Sequence, residues 1–141
     1  VVFREQDFSD EIKKKIKLIH NHKSYTKVSQ QIIADECLQA EYFFYPTNFY
    51  ETFCNCAAEA QLYHTICIYN PIGGLTSTIG DRGQVIKHNI NSPDYISNTC
   101  NDVLQLMNDE SKKNDYRTRG HLWAKQLSLS NTKQQWLKLF Q

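Results

Sequence analysis

A parallel α/β sheet with helices on its faces is the fold this sequence predicts, and three observations carry the prediction. Short apolar runs alternate with stretches of helical periodicity from the start of the chain to Ile86. The runs at 42–45 (YFFY) and 65–69 (TICIY) lack the apolar–polar alternation of a one-sided strand. Such runs fit strands covered on both faces, as in a parallel sheet. After Ile86 only helical patterns follow, so helices close the domain.

The elements follow in order. Residues 1–3 form a short apolar strand. Residues 8–19 form a helix with Ile12, Ile16 and Ile19 inward, Ser9 or Asp10 as its cap, and Lys13, Lys14 and Lys17 on a solvated face. After a polar connector, 25–28 is a second strand. Residues 29–40 form a helix capped by Ser29, with Ile32, Ile33, Cys37 and Leu38 inward. The third strand is 42–45. The turn at 46–53 enters a helix over 55–63, and 65–69 is the fourth strand. NPIGG at 70–74 has the strongest turn chemistry in the chain. A short helical turn over 76–79, a GDRG turn at 80–83 and a fifth strand over 84–86 come next. Helices then span 92–107, 112–127 and 132–140. Ser92 caps the first of these, with Pro93 at its first position and Ile96, Cys100, Val103, Leu104 and Met107 on its apolar face. Trp136, Leu137 and Phe140 dock the last, and Trp123 and Trp136 serve as packing anchors. The alternation gives a Rossmann-like sheet with flanking helices.

Composition narrows the function classes. The 141 residues suit one domain, and apolar and aromatic fractions of 40% and 12% supply a core. A net charge of +1 gives no basic excess for nucleic acid. No run of about 18 apolar residues is present to span a membrane. The opening VVFREQDF lacks the basic start and apolar core of a leader and reads as a strand already under way, so the chain is expected to be a piece of something longer. Five cysteines in no framework spacing suggest reduced thiols and a cytoplasmic setting.

In parallel sheets ligands bind beyond the carboxyl ends of the strands. Three loops leave those ends: 47–54, 70–75, and Ser29 with its neighbours. All three are expected to line one crevice. The helix opening near Cys54 offers backbone N–H groups at Cys54, Asn55 and Cys56, and its dipole favours an anion such as pyrophosphate. Glu51 precedes that helix start and Glu59 lies about one turn inside it. The two carboxylates flank an anion at the helix start, which suits hydroxyls: a ribose on Glu59 and a sugar on Glu51. On spacing alone, both read first as ordinary surface glutamates, with Glu51 supporting a helix start. Gly73 and Gly74 are either a simple turn or part of a ligand loop. Asp81 and Arg82 read as a pair that fixes a turn. Zinc on Cys54, Cys56, His64 and Cys67 would need spacings that structural sites do not use. A Cys54 nucleophile with His64 as base is opposed by a separation of about 15 Å along the helix.

The stretch PTNFYETFCNCAAEA resembles the E-x7-E signature of retaining glycosyltransferases with the GT-B fold. In that family the signature follows a buried strand ending in Pro-Ser or Pro-Thr, here Pro46-Thr47. An Ala follows the second Glu, here Ala60, and the next strand leads to a Gly-Gly loop, here Gly73-Gly74-Leu75. The upstream helix SQQIIADECLQA is similar too, so the resemblance covers residues 28–83. It implies the C-terminal, donor-binding half of a GT-B fold, closed by its terminal helices. Glu51 would be the catalytic-site carboxylate against the transferred sugar, and Glu59 would hold the ribose. The turn from Thr52 and Phe53 into the amides of Cys54, Asn55 and Cys56 would hold the diphosphate. Val28 and Ser29 would contact the base, and Gly73 and Gly74 would line the site. The donor is a nucleotide-diphosphate sugar, with neither a metal nor another cofactor. An N-terminal acceptor domain would be missing, the acceptor is undefined, and homo-oligomerisation is compatible.

Two departures accompany the resemblance. Cys54 stands where the family often has Gly, and the family's diphosphate-binding Arg and Lys lie upstream of the matched region. Alone, the fragment is expected to be inactive. The alternative is a non-catalytic nucleotide- or sugar-phosphate-binding module. A flavodoxin-type interaction domain lacks support, because no acidic cluster follows the first strand.

Overall fold

The computed structural model describes residues 2–4 as backbone and 9–140 in full. The expected strand start at Val1 and helix start at Phe8 lie outside the described residues. The chain divides into two compact units, Val1–Glu36 and Cys37–Gln141.

In the first unit, strand β1 (Val2–Arg4) pairs in parallel with β2 (Lys23–Tyr25), with Phe3 opposite Ser24. Helix α1 (Asp10–Lys17) lies between them in sequence and begins at Ser9, whose hydroxyl accepts from the Ile12 amide. Its inward residue is Ile16, whereas Ile12 and Ile19 are exposed. Strand β2 starts and ends earlier than 25–28, because its register with β1 is set from Lys23. Lys23 and Tyr25 both donate to Glu36 Oε1, at 2.7 and 2.8 Å, and tie the strand to helix α2 (Gln30–Gln39). Ser29 caps α2 by accepting from the Ile32 amide. The helix has no fully buried residue: Ile33 and Cys37 are half-buried, but Ile32 and Leu38 are exposed, contrary to expectation.

The second unit contains a three-stranded parallel sheet with flanking helices, an arrangement compatible with a Rossmann-like fold. Its strands are β3 (Tyr42–Tyr45), β4 (Ile66–Tyr69) and β5 (Gln84–Val85), in the order β3-β4-β5. Tyr42 lies opposite Ile66, and Ile68 opposite Gln84. Side chains of a strand alternate between faces, and central β4 shows both faces in use. Cys67 and Tyr69 pack with Ala57, Ala60, Leu75 and Ile79. Ile66 and Ile68 pack with Ile86 and Leu106. The first layer comes from helix α3 (Asn55–Leu62) and the short α4 (Leu75–Thr78). The second comes from α5 (Tyr95–Met107) and from Tyr116 of α6 (Glu110–Lys125). Helix α6 also meets α3 closely at Gly120, where a Cβ would sit 3.2 Å from Gln61 Cγ. A 3-10 turn (Gly80–Arg82) precedes β5, and α7 (Leu129–Leu139) follows α6.

Several expectations are corrected. Strand β3 is not covered on both faces along its length: the α5 side reaches Tyr42 but leaves Phe44 51% exposed. Helix α5 starts at Tyr95, because Ser92 instead closes a turn, its carbonyl and hydroxyl accepting the amides of Tyr95 and Asp94. The inward face of α5 is Tyr95, Thr99, Val103 and Leu106, while Ile96, Cys100, Leu104 and Met107 are exposed. Tyr95 selects that face by donating to Asn70 Oδ1 at 3.0 Å. Trp136, Leu137 and Phe140 of the last helix are exposed, with Trp136 and Phe140 stacked on each other. No described helix is long and apolar enough to cross a membrane.

Candidate functional site

Helix α3 begins in an unusual way. Cys54 occupies the capping position with φ 64 and ψ 76, in the left-handed region, and its side chain makes no cap hydrogen bond. Its carbonyl accepts from the amides of Ala57 and Ala58 at 3.1 and 3.3 Å, which starts the helical ladder. A left-handed residue followed by right-handed ones gathers successive N–H groups into a concavity that suits anions. Asn55 and Cys56, the first helical residues, are exposed at this end.

The loops after β3 and β4 are stitched together at their backbones. The Gly74 amide donates to the Glu51 carbonyl at 2.6 Å, and the Thr78 hydroxyl donates to the Phe53 carbonyl. Gly73 has φ 55, and a Cβ there would lie 2.6 Å from the Glu51 carbonyl oxygen. A Cβ on Gly74 would be driven into the Thr52 carbonyl. The two glycines therefore set the close approach of one loop to the other. Thr52 and Phe53 are exposed at the tip of that contact.

Glu51 is half-buried, and its Oε1 accepts from the Tyr45 phenol at 2.6 Å. That hydrogen bond, with burial and the carboxylate's charge, holds the Tyr45 phenol well above its ordinary value. Burial also raises the Cys54 thiol, partly offset by the Ala57 backbone and reinforced by the Glu51 charge. A thiol shifted upward is a poor nucleophile at neutral pH. His64, the base considered for it, sits past the other end of α3 at φ 62, its ring stacked on His121 at 3.9 Å between centroids. Among the described residues no group of three or more His, Cys, Asp or Glu is placed to hold a metal ion.

Glu59 faces different surroundings. It lines a groove of about 460 Å³ with Ala58, Leu62, Ala124, Leu127 and Asn131, where α3 meets the α6–α7 junction. Glu51 is not among the walls of that groove. The structure thus joins Glu51, Thr52, Phe53, Gly73 and Gly74 through loop contacts, and it places Cys54, Asn55 and Cys56 at the adjoining helix start. Glu59 stands apart from them, about 6 Å along the helix from Asn55 by helical rise. Val28 and Ser29 belong to the first unit, where Ser29 acts as the cap of α2.

Two contributors were not singled out from sequence. Tyr45 orients Glu51, and its signal was a hydroxyl-bearing aromatic at the carboxyl end of a strand, six residues before the carboxylate. Thr78 anchors Phe53 from α4; its sequence setting, TSTIG, carries no distinguishing mark. The expected Asp81–Arg82 pair is present at 3.8 Å, and Arg82 also donates to the carbonyls of Ser77 and Thr78. The Arg82 guanidinium lies 4.4 Å from the centroid of Trp123, and the Phe53 ring is 6.3 Å from the same indole. No protein-family model matches this chain, and no curated protein matches it as a relative.

Proposed function

We propose that the chain is the donor-binding part of a retaining glycosyltransferase of the GT-B type, acting on a nucleotide-diphosphate sugar. The observation that carries this reading is the start of α3: an uncapped helix entered through a left-handed residue, with Glu51 fixed before it and Glu59 in a groove beside it. In this reading the amides at Cys54, Asn55 and Cys56 hold the diphosphate and stabilise the charge that grows on it as the glycosidic bond breaks. Glu59 accepts the ribose hydroxyls. Glu51, oriented by Tyr45, accepts a hydroxyl of the transferred sugar. A groove of about 460 Å³ is of the size that holds small ligands, about 300–1,000 Å³. The left-handed conformation of Cys54 also suits the family pattern, since glycine, common there, takes that conformation without strain.

A non-catalytic nucleotide- or sugar-phosphate-binding module is the second reading. It is favoured by the Tyr45 contact, which already occupies one oxygen of Glu51.

Thermal stabilisation by UDP, GDP or ADP tests both. One of the three raises the melting temperature, and Glu59→Ala weakens binding about 10- to 100-fold, as expected for lost hydrogen bonds to a charged group. No shift with any of them would defeat both readings. Hydrolysis or transfer of the matching nucleotide sugar, measured with this chain joined to its acceptor domain, separates the two: the first reading requires turnover by that assembly, which Glu51→Gln removes while nucleotide binding persists.

A further inference from the structure

A second cavity, of about 350 Å³, lies beside β5 and the facing parts of α5 and α6. It lies within the range of ligand pockets, about 300–1,000 Å³, and its walls carry both ammonium and carboxylate groups. Lys87 and His88 come from the segment after β5, Asp102 and Gln105 from α5, and Asp109 and Lys112 from the α5–α6 junction.

Lys112, His88, Asp102 and Asp109 are held in place. The Lys112 ammonium donates to Gln84 Oε1 at 2.8 Å and stands 5.6 Å from the centroid of the Tyr116 ring. The Gln84 amide is itself oriented, since its Nε2 donates to the Val85 carbonyl at 3.1 Å. An ammonium has three donors, so Lys112 keeps capacity for a ligand. His88 Nε2 meets Asp102 Oδ2 at 2.9 Å. Asp109 spends Oδ1 on the Lys112 amide at the start of α6, at 2.9 Å. Each carboxylate therefore retains a second oxygen able to accept from a hydroxyl.

We propose that this cavity binds a small hydroxylated oxyanion, such as a sugar phosphate or a sugar acid. The ammonium groups of Lys87 and Lys112 take the oxyanion, and Asp102 and Asp109 take hydroxyls. Two carboxylates beside two lysines disfavour a bare anion, whose charge they oppose, and a neutral sugar leaves the lysines unused. The proposal is independent of the nucleotide reading of the α3 turn.

Calorimetric titration of the whole chain with ribose 5-phosphate, gluconate, ribose and inorganic phosphate tests it. Saturable binding is expected for ribose 5-phosphate or gluconate, at least tenfold tighter than for ribose or inorganic phosphate. The tighter of the first two identifies the oxyanion as phosphate or carboxylate. Lys112→Met weakens binding at least tenfold, and Lys87→Met, at an exposed position, weakens it in a protein whose fold is undisturbed. Asp102→Asn narrows the gap between ribose 5-phosphate and inorganic phosphate. The proposal is overturned if neither hydroxylated anion saturates, if inorganic phosphate binds equally well, or if Lys87→Met and a folded Lys112→Met bind as the parent does.

Discussion

Cys54 holds a backbone conformation that costs an L-residue about 1–2 kcal/mol. Glycine carries no such penalty, whereas alanine keeps it. Cys54→Gly is therefore expected to be more stable than Cys54→Ala by about 1 kcal/mol in urea unfolding; equal midpoints would show that the strain is relaxed elsewhere. The Glu51–Glu59 spacing could be read directly from the sequence, and so could the helix between them, because a strand end, a proline and an alanine-rich run mark it out. The Tyr45 contact could not. Whether a phenol at a strand end turns toward a carboxylate six residues on depends on the path of the intervening turn. That path is fixed by Gly73 and Gly74 from a different loop. For the same reason the sequence alone does not decide whether the two glycines form a simple turn or a ligand loop: their partner is a backbone distant in sequence.

Helix α5 shows how an element's type can be legible while its orientation is not. Two stripes compete on it, Tyr95-Thr99-Val103-Leu106 and Ile96-Cys100-Leu104-Met107, and the second is the more apolar. The first faces inward because Tyr95 reaches Asn70 and Leu106 fills the layer beneath Ile66 and Ile68. Leu106→Ala is accordingly expected to cost about 2–5 kcal/mol. Leu104→Ala should stay within about 0.5 kcal/mol; the reverse order would show that the helix is rotated. At the far end of α3, partial desolvation of the His64 ring where it stacks on His121, and the charge of that neighbour, hold His64 below its ordinary value. The folded state then binds fewer protons there than the unfolded chain. The stabilising contribution is complete above the ordinary histidine value and is lost as pH falls through the lowered one. The melting temperature should therefore decline modestly from pH 7.5 to pH 5. His64→Asn, which tolerates the left-handed conformation, should flatten that decline; an unchanged slope would assign it to other groups.

The second unit is built around β4, which alone among its strands is buried at every position. The parallel α/β class was legible for this reason: an unbroken apolar run such as ICIY is tolerated only where both faces are covered. The short partners are less legible, since Gln84–Val85 has no pattern of its own and is recruited by pairing with Ile68 and Tyr69. Hydrogen exchange should find the slowest amides in Ile66–Tyr69, with α7, whose residues are all at least partly exposed, among the faster helices. Faster exchange in β4 than in α7 would contradict this hierarchy. The packing of Phe53 and Arg82 about Trp123 also gives the molecule an optical readout. Of the two tryptophans, Trp136 is 59% exposed and remote in sequence from the α3 turn. A Trp136→Phe protein would retain Trp123 as its sole indole emitter, beside the aromatic ring that immediately precedes Cys54. Its fluorescence would register movement of that ring as a molecule settles at the helix start, without a label and without knowledge of what the molecule is.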